Sequence, residues 1–174
     1  SGNSTAGADA RGGGVSMFGS APLAIVNSAL IGNETAGARA HGGAVYALGE
    51  TTVFGSTFAG NAVTGSNADG GAIYGSVYQV LNSTVTGNRA DGVGGDGGGL
   101  YAGSPVRIAD ALVLGNVAAN PGADEIGGSS ILGIVADGFN LVGSAAAAFA
   151  ASGFARIANA DPVESGGSRA PGVA

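Results

Sequence analysis

Gly60-Asn61-Ala62-Val63-Thr64-Gly65-Ser66-Asn67-Ala68-Asp69-Gly70-Gly71 is one statement of a phrase that the chain makes four times. A Gly-Asn pair is followed, after eight residues, by Gly-Gly: Gly2-Asn3 to Gly12-Gly13, Gly32-Asn33 to Gly42-Gly43, Gly60-Asn61 to Gly70-Gly71, and Gly87-Asn88 to Gly97-Gly98. A fifth Gly-Asn stands at Gly115-Asn116, where the Gly-Gly has degraded to Glu125-Ile126. Successive pairs lie 30, 28, 27 and 28 residues apart. Self-similarity at a fixed period of this size is the signature of a solenoid, and it outranks local propensity.

Working outward from the phrase, each period holds three short alternating segments. The first follows the Gly-Gly and centres on Val15, Val45, Ile73 and Leu100. The second has residues two apart, ending on Ile25, Val53, Val80 and Ile108, and the third centres on Leu30, Phe58, Val85 and Val113. Alternation with a period of two reads as strand with one face buried. A single coil cannot bury its own apolar positions, but coils stacked about 4.8 Å apart place equivalent side chains in columns and build a continuous interior. The expectation is an all-β chain: a parallel β-helix of about five coils, roughly 24 Å long, right-handed as parallel crossovers are. It covers residues 1–143, with residues 144–174 forming an Ala-rich C-terminal cap and a Gly/Ser/Pro tail. Within the cap, Ser144 opens a short helix that ends at Gly153, and Phe149, Phe154 and Ile157 cover the end of the core.

Composition narrows the function classes. The 174 residues include 36 Gly and 5 Pro, yet 45% are hydrophobic and only 10% charged, which argues against disorder. The net charge is -6 and all six cationic side chains are Arg, so no basic stripe exists for nucleic acid. No Cys is present, which removes disulfides and thiolate metal sites. No apolar run approaches the roughly 18 residues of a membrane span. The chain opens in mid-repeat, as a processed precursor or a cut chain would, and such a start would leave strand edges for a head-to-tail contact.

The run Asn82-Ser83-Thr84-Val85-Thr86-Gly87-Asn88, followed by Gly97-Gly98-Gly99-Leu100-Tyr101, resembles the repeat of bacterial secreted β-helix proteins of the polymorphic outer-membrane-protein type. The run Gly122-Ala123-Asp124-Glu125-Ile126 with Phe139-Asn140-Leu141-Val142-Gly143 and Ala160-Asp161-Pro162 is similar to the end of choice-of-anchor surface proteins. The resemblance implies a parallel β-helix that is secreted or held at a bacterial cell surface. It brings no catalytic residues with it.

Three columns of side chains are candidate sites. Asn3, Asn33, Asn61, Asn88 and Asn116 stack at one turn, where amides can bond to each other and to the turn backbone. The competing reading makes glycan acceptors of the sequons at Asn3, Asn33 and Asn82. A shorter column holds Asn27, Asn82 and Asp110, with Gly55 in the intervening coil. Eight residues after each ladder Asn come Arg11, His41, Asp69, Asp96 and Asp124. Asp69, Asp96 and Asp124 are calcium candidates, because stacked carboxylates share a cation or repel; alternatively each bonds the following Gly-Gly turn. Tyr46, Tyr74 and Tyr101 point outward and are candidates for glycan or partner contact, or stack to support the sheet. For acid–base chemistry only His41, near Glu34 or Glu50, offers a base, so no catalytic residue is assigned. An ice-binding Thr array fails, since Thr84 and Thr86 flank Val85 but other coils offer Ala29/Ile31 and Leu112/Leu114.

The sequence therefore favours a non-enzymatic extracellular structural or adhesive β-helix, a head-to-tail subunit of a surface filament, with self or a cell-surface glycan as partner and no cofactor other than the calcium candidate. The alternative is a carbohydrate-binding or polysaccharide-active β-helix.

Overall fold

A computed structural model describes residues 1–120, 123–128, 135–143 and 155–156. The described residues form strands and turns only, and every strand pairing is parallel between one coil and the next. The chain winds as a solenoid of about five coils bounded by three sheets.

The first sheet follows the ladder Asn and stacks β1 (Ser4–Ala6), β5 (Glu34–Ala36), β8 (Ala62–Val63), β11 (Arg89–Ala90) and β15 (Val117–Ala118). The second follows the Gly-Gly. It contains β2 (Val15–Met17) and β3 (Leu23–Val26), then β6 (Val45–Phe54), β9 (Ile73–Leu81), the pair β12 (Leu100–Ala102) and β13 (Val106–Ala109), and the pair β16 (Ile126–Gly127) and β17 (Val135–Asp137). The third precedes the next Gly-Asn and stacks β4 (Ala29–Ile31), β7 (Thr57–Ala59), β10 (Thr84–Thr86), β14 (Leu112–Leu114), β18 (Leu141–Val142) and β19 (Ala155–Arg156).

All three expected core columns are register partners. Val15, Val45, Ile73 and Leu100 pair in succession and continue to Ile126. Ile25, Val53, Val80 and Ile108 do the same, as do Leu30, Phe58, Val85 and Val113, which continue to Val142. From Val45 onward these side chains are buried in one apolar cluster. Burying a side chain the size of Phe58 contributes about 2–3 kcal/mol relative to its exposed state, and in a solenoid that term accrues coil by coil.

The expected three strands per coil hold in the middle coils, but with a different membership. The first two segments fuse there into the single strands β6 and β9, with a register shift between Ala47 and Glu50. The third strand of the coil is the one after the Asn, which has no apolar alternation to announce it. Its inward column is Thr5, Thr35, Val63, Ala90 and Ala118. Small residues suffice because this sheet closes a narrow second cluster of Val63, Ala68, Ala90 and Ala118. Thr35 is fully buried and donates its hydroxyl to the Gly42 carbonyl at 2.9 Å. The expected Ala-rich cap and the tail lie outside the described residues, apart from β19, which adds a strand to the third sheet.

The Gly-Gly pair solves two different problems. Gly70 takes φ +73°, a left-handed conformation that favours glycine. Gly71 lies under the next coil, where a Cβ would sit 2.1 Å from the Gly98 carbonyl oxygen and 2.6 Å from the Arg89 backbone nitrogen. Those are backbone atoms held by the ladder and cannot rotate away. Gly71→Ala is therefore expected to cost about 3 kcal/mol. Gly103→Ala is expected to be nearly neutral, because its Cβ would meet nothing closer than 3.5 Å. Thermal unfolding of the two variants checks this; equal losses would remove close coil approach as the reason for the Gly-Gly phrase.

Candidate functional site

The asparagines form a continuous ladder along the axis. Asn33 donates both its backbone N–H and its Nδ2 to Asn61 Oδ1, each at 2.9 Å. Asn61 donates likewise to Asn88 Oδ1 at 2.9 and 2.8 Å, and Asn88 to Asn116 Oδ1 at 3.0 and 2.8 Å. The second Nδ2 hydrogen of Asn61, Asn88 and Asn116 goes to the carbonyl of Leu30, Phe58 and Val85 respectively. In the interior of the ladder, each amide thus fills both acceptor lone pairs and both donors, with Asn61 and Asn88 fully buried. Aspartate lacks the donors, and glutamine would place its amide too far from the turn.

The ladder ends on a carboxylate that the repeat pattern does not foretell. Glu125 is only 3% exposed. Its Oε1 accepts from the Gly115 N–H at 2.9 Å, and its Oε2 accepts from the backbone N–H and Nδ2 of Asn116. In register Leu100 pairs with Ile126, so Glu125 stands where the previous coil has Gly99, not at a degraded Gly-Gly. Burial pushes its carboxyl up from 4.5 to about 7, against the lowering effect of those three donors.

The shorter Asn27, Gly55, Asn82, Asp110 column is a turn column. All four are exposed with φ between +47° and +57°. The bonding there falls to the next residue: Ser28 N–H donates to Ser56 Oγ and Ser56 N–H to Ser83 Oγ, both at 3.1 Å. Of the three sequons, Asn33 is locked in the ladder and Asn3 donates to it, whereas the Asn82 side chain is exposed.

The aspartate row serves the turns. His41 Nδ1 accepts from the Asp69 N–H at 3.1 Å, and Asp69 Oδ1 accepts from the Asp96 N–H at 2.9 Å. Asp96 Oδ1 accepts from Asn120 Nδ2 at 2.7 Å. Asp124 falls out of the row, because it precedes Ile126 by two residues where Asp96 precedes Leu100 by four. It accepts the Ala118 N–H instead, at 2.9 Å. Among the described residues no three metal-ligating side chains converge, so Asp69, Asp96 and Asp124 are not brought together around a cation. Since His41 Nδ1 accepts a hydrogen bond, it carries no proton, and its 3.5 Å approach to Asp69 Oδ2 is not an ion pair. Burial, helped by Arg11, lowers the imidazole from 6.5 to about 4. Glu34 accepts from Thr64 and Glu50 from Gln79; neither is paired with His41.

The tyrosines stack face to face. Tyr46 and Tyr74 are 5.3 Å apart and 6° from parallel, Tyr74 and Tyr101 4.8 Å and 5°. His41 stacks on Tyr74 at 4.4 Å, while Phe18 and the Arg11 guanidinium cover Tyr46, which is 5% exposed. A sugar that stacks on an aromatic ring needs an open ring face. The ring faces of Tyr46 and Tyr74 are already occupied by neighbours on the outside of the second sheet.

Comparison with protein-family models, characterised proteins and solved structures found no match. Among the described residues no helix is long and apolar enough to cross a membrane.

Two outcomes follow from the ladder and its end. Asn88→Ala leaves the buried Asn61 N–H and one Asn61 Nδ2 hydrogen without their acceptor, takes one donor each from Asn116 Oδ1 and the Phe58 carbonyl, and is expected to cost about 4 kcal/mol. Asn3→Ala, at an exposed position, is expected to stay within about 0.5 kcal/mol. Chemical denaturation of both checks the difference. As to pH, the folded state holds the Glu125 proton more tightly than the unfolded chain, so its contribution is full below 4.5 and is lost as pH rises to about 7. His41 is the reverse: its contribution is full above 6.5 and is lost as pH falls to about 4. Asp69, raised by burial, acts in the same direction as Glu125. The opposing slopes share one window. Glu125→Gln is expected to make stability rise more steeply with pH across it, and His41→Gln to make it fall; denaturation midpoints from pH 4 to 7 read both.

Proposed function

We propose that this chain is a non-enzymatic structural or adhesive β-helix of the cell exterior, secreted or displayed on a bacterial surface. One observation carries the reading. The side chains of the candidate row, His41, Asp69, Asp96 and Asp124, each accept a hydrogen bond from the backbone or amide of a neighbouring coil or turn. Catalysis needs such groups aimed at a shared point outside the fold; here they are directed along the axis. A stack whose polar groups are satisfied from coil to coil is a stiff rod, suited to holding a contact surface away from a cell.

Antibody labelling of the cells that make the protein, intact and permeabilised, tests the location, and attachment of a deletion strain tests the role. Labelling of intact cells with reduced attachment is the expected result. Label that appears only after permeabilisation, or attachment unchanged by deletion, would overturn it.

A further inference from the structure

The turn between the second and third sheets breaks the repeat once. Between Val26 and Ala29, Phe54 and Thr57, Leu81 and Thr84, and Ala109 and Leu112, two residues make the turn. Between Asp137 and Leu141 there are three: Gly138, Phe139 and Asn140. Asn140 keeps the structural duty of the column, accepting the Ala111 N–H at 3.1 Å and donating to the carbonyls of Ile108 and Asp137. Phe139 is the residue the solenoid does not need. Its ring is 94% exposed and has no ring partner among the described residues.

The insertion is held in place. Asp110 Oδ1 accepts the Phe139 N–H at 2.9 Å. This needs a glycine at 138, where a Cβ would lie 2.3 Å from the Asp110 carboxylate. Phe139 thereby borders an open cleft of about 590 Å³, whose lining includes Asn82, Thr84, Asp110, Leu112 and Leu141. Asn82 and Asp110 project from successive coils at φ +48° and +49°. The Asn82 side chain, the Thr84 hydroxyl and Asp110 Oδ2 have no hydrogen-bond partner among the described residues.

We propose that this cleft binds a pyranose sugar. A pyranose has an apolar C–H face and a rim of hydroxyls. The exposed Phe139 ring offers the first an aromatic surface, with Leu112 and Leu141 beside it. The Asp110 carboxylate and Asn82 amide offer the second an acceptor and an acceptor–donor pair. Other ligand classes fit less well. Among the described residues Asp110 is the one acidic residue in the lining, too few for calcium, and no cationic side chain lines the cleft to hold an anion. This site is separate from the tyrosine column, and it stands on its own geometry whatever the cellular location proves to be.

Saturation-transfer NMR of the whole chain with methyl α-glucopyranoside, methyl α-mannopyranoside, methyl β-galactopyranoside and methyl N-acetyl-β-glucosaminide, each up to about 10 mM, is the test, since weak single-site affinities are read in that range. At least one glycoside is expected to bind. Phe139→Ala is expected to weaken it about tenfold through loss of the aromatic contact, with an unchanged thermal midpoint because the ring is exposed. Asp110→Asn retains an oxygen for the Phe139 N–H and is expected to weaken binding several-fold through loss of the charge. No transfer with any of the four, or transfer unaltered by Phe139→Ala, would overturn the proposal.

Discussion

An amide buried in the wall of a stacked coil has four hydrogen-bonding sites to fill and no water to fill them. Asn61 meets this with neighbours supplied by translation along the axis: its own Oδ1 takes two donors from Asn33, and its Nδ2 reaches Asn88 Oδ1 and the Leu30 carbonyl. The arrangement works only if coils superpose. A slip of one residue would put the preceding glycine, or a residue such as Ala62 or Val117, in place of a ladder amide and leave buried polar groups open, at about 1–3 kcal/mol each. The 27- to 30-residue spacing follows from this constraint, and with it the register of all three sheets. The apolar columns add the larger part of the driving force, but apolar contact is not directional and tolerates slippage that the amides do not.

The same axial logic governs the outside. Arg39 pairs with Asp9 and Arg107 with Asp137, each at 2.9 Å and each between coils. Such exposed pairs contribute at most about 1 kcal/mol apiece. The stacked tyrosines and the His41–Asp69–Asp96 relay are more enclosed and bind coil to coil through rings and backbone donors. Groups that look like a site when read one coil at a time are, in the stack, a means of fastening one coil to the next.

Individual character enters where the repeat departs from itself. Glu125 occupies the place of a glycine and closes the amide ladder with a carboxylate, so the end of the ladder carries a titratable group where its middle has only amides. Phe139 is an added residue in an otherwise constant two-residue turn.

The repeat made the solenoid, its three apolar columns and the asparagine ladder readable from the sequence, because identical residues at a fixed period have identical neighbours once coils stack. Alternation after the inward Val45, Ile73 and Leu100 also places the tyrosines on the outer face. Other features depended on the path of the backbone. The strand after each Asn was hidden because its inward positions, such as Thr35 and Ala90, face a cavity too narrow for large apolar side chains. Counting from the Asn puts Asp124 in the Asp69–Asp96 row, yet the coil is shorter there and register places it elsewhere. In the sequence Glu125 reads as decay of the Gly-Gly motif, and only its burial against Asn116 gives it a role. Periodicity in a sequence specifies what is repeated along the axis; how a turn lengthens or shortens, and which polar group then meets which, is decided by the three-dimensional closure of each coil on the one before it.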